Sequence, residues 1–163
     1  MPAAAGGIVV PVIFAATGVG LVISTIWAAA LGQTMVASIF GLFAGFWLSF
    51  SILLLGLFHN WLLVPPADVK DSIALFLISW IIVMAALTLA TMRLPASYTA
   101  VVALVVLALI LRTVGVLDTN STFDKLAGYV AFIFAALGIY LFLHAADTAT
   151  GGRGFPLGPA LRR

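Results

Sequence analysis

The 163-residue chain has no cysteine, which excludes disulfides, thiol catalysis and cysteine-ligated metals. It has no glutamate either, and only two histidines. Charge is scarce: Asp, Glu, Lys and Arg make up 7% of the residues, against about 25% in an ordinary soluble domain. A water-soluble globule of this size would lack the polar surface to cover itself. Disorder is excluded too, because it needs low hydrophobicity and high charge. The net charge of +2 is a small, scattered surplus, not the clustered basic face of a nucleic-acid binder, so no nucleic-acid partner is expected. No nucleophile–base–acid set and no glycine-rich phosphate loop occurs, so neither enzymatic activity nor a cofactor is expected. His59 and His144 have no acidic cluster nearby in sequence, so they are expected to sit at the membrane interface and no metal site is expected.

What is present is hydrophobic: 64% of the chain, with a mean hydropathy of +1.29. A spanning helix takes roughly 20 residues, so the length allows at most six spans and no appended soluble domain. Five apolar runs stand out, Ile8–Leu31, Met35–Phe58, Ser72–Met92, Ser97–Leu117 and Leu126–Ala146. They are continuous rather than alternating, which excludes a β-barrel. Backbone in lipid must satisfy itself, so the expected fold is all-α, a polytopic transmembrane helix bundle of five spans (8–31, 35–58, 72–92, 97–117, 126–146). Residues 1–147 form one helical membrane domain in this reading, and 148–163 a Gly-, Pro- and Arg-rich tail outside the membrane.

Punctuation supports the division. Gly32-Gln33-Thr34 is a very tight turn, and an apolar tail from Trp61 to Val64 follows the second run. Pro65-Pro66 opens a polar connection, Arg93-Leu94-Pro95 ends the third run, and Ser121 or Thr122 is placed to cap the fifth. The segment before Ile8 has no Lys or Arg, so the first run is expected to be a retained span rather than a signal peptide. An odd number of spans puts the two ends on opposite faces. One face carries Arg93, Arg153, Arg162 and Arg163 against Asp147, and the other carries Lys70 and Lys125 among four aspartates. The Lys and Arg bias puts the first of these in the cytoplasm of an inner-membrane protein, with the N-terminus outside.

Few polar side chains fall within the runs. Arg112 has two readings, snorkelling to the headgroups or a cation in an anion pathway. Trp27, Trp61, Tyr98 and Tyr129 fall near run ends, as interfacial anchors do, while Trp47 and Trp80 are deeper and suit packing. Gly41 and Gly45 form a small-xxx-small pair, and Gly18 does the same for the first run. Such residues let helices approach closely or leave room for a solute.

Gly45-Phe46-Trp47-Leu48-Ser49-Phe50 resembles the G-x-FWLS core of the GPR1/FUN34/YaaH family of acetate and succinate transporters. Trp27 stands twenty residues before Trp47, where the family has an aromatic or apolar position, and Gly32-Gln33-Thr34 resembles its Gly-Asn-Thr turn. Ala127-Gly128-Tyr129 with Ile139-Tyr140 resembles its last helix, and Gly152 to Pro159 resembles its C-terminal ending.

The resemblance implies a six-helix protomer that assembles into hexamers and passes acetate or related small carboxylates. It also implies that the family's first helix, with its N-P-A-P-L-G-L signature, has no counterpart here. The family's constriction tyrosine falls on Phe43, its constriction leucine on Val105, and a small residue that tunes substrate size on Gly138. Its FYGG…Q stretch becomes Ala15-Ala16-Thr17-Gly18 and Leu21, and its acidic residue after the last helix is replaced near His144. Two functions follow as expectations. In one, Thr17, Phe43, Trp47, Ser49, Val105 and Gly138 line a path for acetate or a similar mono- or dicarboxylate in a homo-oligomer, with Gly18, Gly41 and Gly45 packing helices. In the other, the scaffold is kept as an accessory subunit of a larger membrane complex.

Overall fold

The structure is a computed structural model that describes residues 6–162. The reading of the segment before Ile8 falls largely outside them. The long elements are all helical: α1 (Gly6–Pro11), a π-helical stretch (Val12–Val19), α2 (Gly20–Ala30), α3 (Thr34–Phe58), a 3-10 turn (Pro66–Asp68), α4 (Val69–Thr91), α5 (Ala96–Asp118) and α6 (Ser121–Ala149). Five stretches are long and apolar enough to cross a membrane, namely Val9–Ala30, Thr34–Phe58, Pro66–Thr91, Ala96–Asp118 and Ser121–Ala149.

Two boundaries differ from expectation for identifiable reasons. The third span begins at Pro66 rather than Ser72. Proline loses nothing in a first helical turn, and Asp68 and Asp71 complement the exposed N–H groups there. The fifth begins at Ser121 rather than Leu126 because Asn120, not Ser121 or Thr122, is the cap. Its side-chain oxygen accepts a hydrogen bond from the Thr122 N–H at 2.9 Å. At 29 residues α6 is about 43 Å long, against a hydrocarbon core of about 30 Å, so its ends reach water.

The chain divides into two compact units, Met1–Val69 and Lys70–Arg163. The first is a helical hairpin. α2 stops where Gly32 takes a left-handed φ of 72°, which lets the Gln33 N–H reach the Ala28 carbonyl (2.9 Å) and the Gly32 N–H reach Ala29 (3.0 Å). The register follows from two close approaches. A side chain on Gly18 would strike Leu48, and one on Gly41 would touch Thr25. On α3 the small residues Ala37, Ala44 and Ser51 recur every seven positions and are buried. The Trp61–Val64 tail does not prolong α3. Asn60 and Leu63 adopt left-handed conformations, the Trp61 N–H bonds the Gly56 carbonyl at 2.8 Å, and Leu62 folds back against Gly56.

In the second unit α5 and α6 form another hairpin. Arg112 forms an ion pair with Asp124 in the first turn of α6. The Arg112 side chain is half-exposed, and its charge is matched by a carboxylate across the hairpin. A side chain on the buried Gly115 would collide with Asp124. The α4–α5 turn is tied by the Thr99 hydroxyl, which donates to the Thr91 carbonyl at 2.8 Å.

The tail after α6 is a strap rather than a loose appendage. Asp147 accepts from the Gly154 N–H at 2.8 Å, His144 Nδ1 lies 2.8 Å from both the N–H and the C=O of Phe155, and the Tyr140 hydroxyl donates to Pro156 at 2.7 Å. These residues sit on one side of α6 at helical spacing. Beyond them, the Ser97 hydroxyl and N–H both donate to Leu157, the Ala96 N–H to Pro159, and the Arg162 N–H to Met92. Gly154 has a φ of 70° and lies against the His144 ring, so only glycine fits there.

Two outcomes test this packing. Gly18→Val should cost about 1–3 kcal/mol through overpacking against Leu48, read as lower tolerance to a denaturing detergent. Unchanged tolerance would contradict the hairpin register. His144→Ala removes one side-chain hydrogen bond, worth about 1 kcal/mol, so tryptic cleavage after the exposed Arg153 should rise about fivefold. Equal cleavage rates would show that the strap is not held there.

Candidate functional site

The first unit is almost without charge. No Asp, Glu, Lys or Arg occurs before Asp68, so any polar contact within its two spans comes from hydroxyls, amides or the indole. Thr17, Phe43, Trp47 and Ser49 all belong to this unit, and each is half-buried. Val105 and Gly138 belong to the second unit. Val105 is buried on α5, while the space around Gly138 on α6 is open to 4 Å among the described residues.

Most hydroxyls within the spans are already committed. Ser24 donates to Gly20, Thr25 to Leu21, Ser38 to Thr34, Ser51 to Trp47, Ser79 to Leu75, Thr88 to Met84 and Thr113 to Leu109, all four residues back at 2.6–2.9 Å. This is the usual resort of a hydroxyl in lipid, where no water competes. Ser49 does the same, donating to Gly45 at 2.7 Å and to Phe46 at 3.0 Å. Its proton is occupied, and a carboxylate would have to displace those carbonyls.

Thr17 differs. Its hydroxyl makes no hydrogen bond among the described residues, and it lies in the π-helical stretch. The cause is local. Pro11 has no N–H, and its ring crowds the carbonyl four residues before it. The N–H groups that follow reach back five residues instead of four, which widens the turn. The stretch closes at Gly20, where α2 begins and whose N–H bonds the Thr17 carbonyl three residues back, a tighter 3-10-type contact. Sequence reading found Thr17 and Gly18 but missed the π-helix. Pro11 near the start of an apolar run was the available signal.

Gly18 is buried against Leu48, and helical phase sets the rest. Successive residues of a helix are about 100° apart, so Trp47 and Ser49 leave α3 on opposite sides of Leu48. In an antiparallel pair the residues preceding each contact position share a side. Thr17 and Trp47 therefore lie on one side of the Gly18–Leu48 contact, and Ser49 on the other. Trp47 packs edge-on against Phe46 (ring centroids 5.0 Å apart) and near Phe50 (6.5 Å). Its indole N–H makes no hydrogen bond among the described residues, which is unusual for a tryptophan away from water. Among the described residues no three His, Asp or Glu side chains gather as metal ligands would.

The comparisons with known proteins follow this geometry closely in extent. A family model described as the GPR1/FUN34/yaaH family matches residues 3–153, a stretch that takes in all five spans and ends inside the strap. No match emerges among curated proteins or among solved structures. A match over so much of the chain settles membership: the chain belongs to the GPR1/FUN34/yaaH family, known as a family of acetate transporters.

Proposed function

We propose that this protein passes acetate, or a similar small mono- or dicarboxylate, across the membrane it spans. The observation that carries the reading is the family match over residues 3–153, which includes every span. The chemistry of the first unit fits a weak acid carried neutral or briefly dehydrated. Burying an unpaired anion is expensive, and this unit offers no counter-charge before Asp68. Within the first unit Thr17, Phe43, Trp47 and Ser49 would line the path. The aromatic side chains would set the size limit and the uncommitted donors would meet the carboxylate. The membrane is an inner membrane, with the N-terminus outside and the strap in the cytoplasm, the orientation that the arginines of the strap and of the α4–α5 turn favour. Copies of the chain assemble into an oligomer.

A second reading, a non-transporting accessory subunit, is favoured by one observation. The Ser49 hydroxyl proton is held by its own helix, so one of the groups named for substrate contact is spent on structure.

Uptake of labelled acetate into vesicles containing the purified chain separates the two. Uptake should exceed that of empty vesicles. Phe43→Ala, which widens the path, should relax discrimination between acetate and a larger carboxylate about tenfold. Ser49→Ala should change uptake less than about twofold, because a hydroxyl bonded within its helix has little net energy to give a solute. Uptake no faster than in empty vesicles would rule out acetate transport and favour the accessory role.

A further inference from the structure

Thr17 and Trp47 are two hydrogen-bond donors without partners among the described residues, in a hairpin where most hydroxyls bond their own helix backbone. They lie on the same side of the Gly18–Leu48 contact. The hairpin register places them at nearly the same level: Gly18 meets Leu48 and Gly41 meets Thr25, so residue numbers facing each other sum to 66. Thr17 is then level with Ser49, and Trp47 with Val19. At 1.5 Å per residue the two donors differ in depth by about 3 Å. A carboxylate has two oxygens and takes two donors from one side.

The π-helix is what leaves the first donor available. In α-helical turns a threonine hydroxyl bonds the carbonyl four residues back, as Thr25 does with Leu21 on the same span. In the widened turn after Pro11 that carbonyl swings around the helix axis away from the side chain. Had the stretch been α-helical, Thr17 would donate to Ile13 and nothing would remain for a solute. Short π-helical insertions recur at functional sites because they re-aim groups in this way.

We propose that the Thr17 hydroxyl and the Trp47 indole N–H form a two-donor contact for one carboxylate group of the solute, with Pro11 as the residue that positions Thr17. This deepens the transport reading, since it names the groups that would recognise the solute, but it makes a claim about binding that stands apart from flux.

The test uses the full chain in lipid bilayers, with sodium acetate as probe and sodium chloride as control. Acetate should shift the Trp47 indole N–H resonance, identified by its loss in Trp47→Phe, together with the Thr17 methyl resonance. Chloride should not. In uptake measurements Thr17→Val, Trp47→Phe and Pro11→Ala should each raise the half-saturating acetate concentration about tenfold, with a smaller effect on maximal rate. Thr17→Ser, which keeps the hydroxyl, should recover most of that loss. Thr25→Val, whose hydroxyl is already bonded, serves as the control and should match the parent. Combining Thr17→Val with Pro11→Ala should be no worse than either alone, because both remove the same donor. Acetate shifts without uptake would sustain the contact and end the transport reading. Uptake without acetate-specific shifts would overturn the contact and leave transport standing. If Pro11→Ala binds acetate like the parent while Thr17→Val does not, the positioning role of Pro11 is wrong.

Discussion

In hydrocarbon an unpaired N–H or C=O has no water to turn to, and leaving one exposed costs several kcal/mol. The other features of this chain follow from that requirement. It makes each long apolar run a helix, and it confines turns to the ends of runs. It also gives the polar residues within the spans a common task. Serine and threonine hydroxyls donate to the carbonyl a turn back, so that each buries its own polarity without a partner helix. The small residues on α3 serve the same economy. In the first hairpin the described contacts between helices are by close approach, as at Gly18 against Leu48 and Gly41 against Thr25.

Where water returns, the rules change. The charges lie toward helix ends and loops, and their pairings there are local. Arg112 and Asp124 clasp the α5–α6 hairpin at one end. At the other, Tyr140, His144 and Asp147 hold the backbone of the strap that reaches back to the α4–α5 turn. An ion pair exposed to solvent contributes little by itself. Its value here lies in register, since Asp124 also fits against Gly115, where no side chain has room. Within the first hairpin the stretch after Pro11 departs from the rule. There the backbone still satisfies itself, five residues back, and a hydroxyl is released in consequence.

Much of the fold was legible in the sequence, because apolar length in lipid leaves few alternatives. The five runs and the glycine turn at Gly32 were visible as composition and punctuation. The helix ends were less so. Asn120 as cap and Pro66 as first residue depend on backbone angles that neither hydropathy nor the caps beside them specify. The Arg112–Asp124 pair joins residues on two helices, a relation that a reading run by run does not reach. The strap's contacts were not legible, because glycine, proline and arginine look alike in a linker and in a segment held by backbone contacts. The family was recognisable from its motifs. What stayed hidden was which hydroxyls were already spent. Ser49 and Thr17 are equivalent in sequence and opposite in hydrogen bonding, because one follows an α-helical turn and the other a proline-widened one.

The central claim is that five internally satisfied helices carry the chain through the membrane in alternation. The absence of native cysteine makes it directly measurable. Single cysteines at Gln33, Ala67, Arg93, Ser121 and Thr150 would be labelled with an impermeant reagent in sealed vesicles of known sidedness. The account requires positions 33, 93 and 150 to react from one side, and 67 and 121 from the opposite side. Reaction of 33 and 67, or of 93 and 121, from the same side would contradict it.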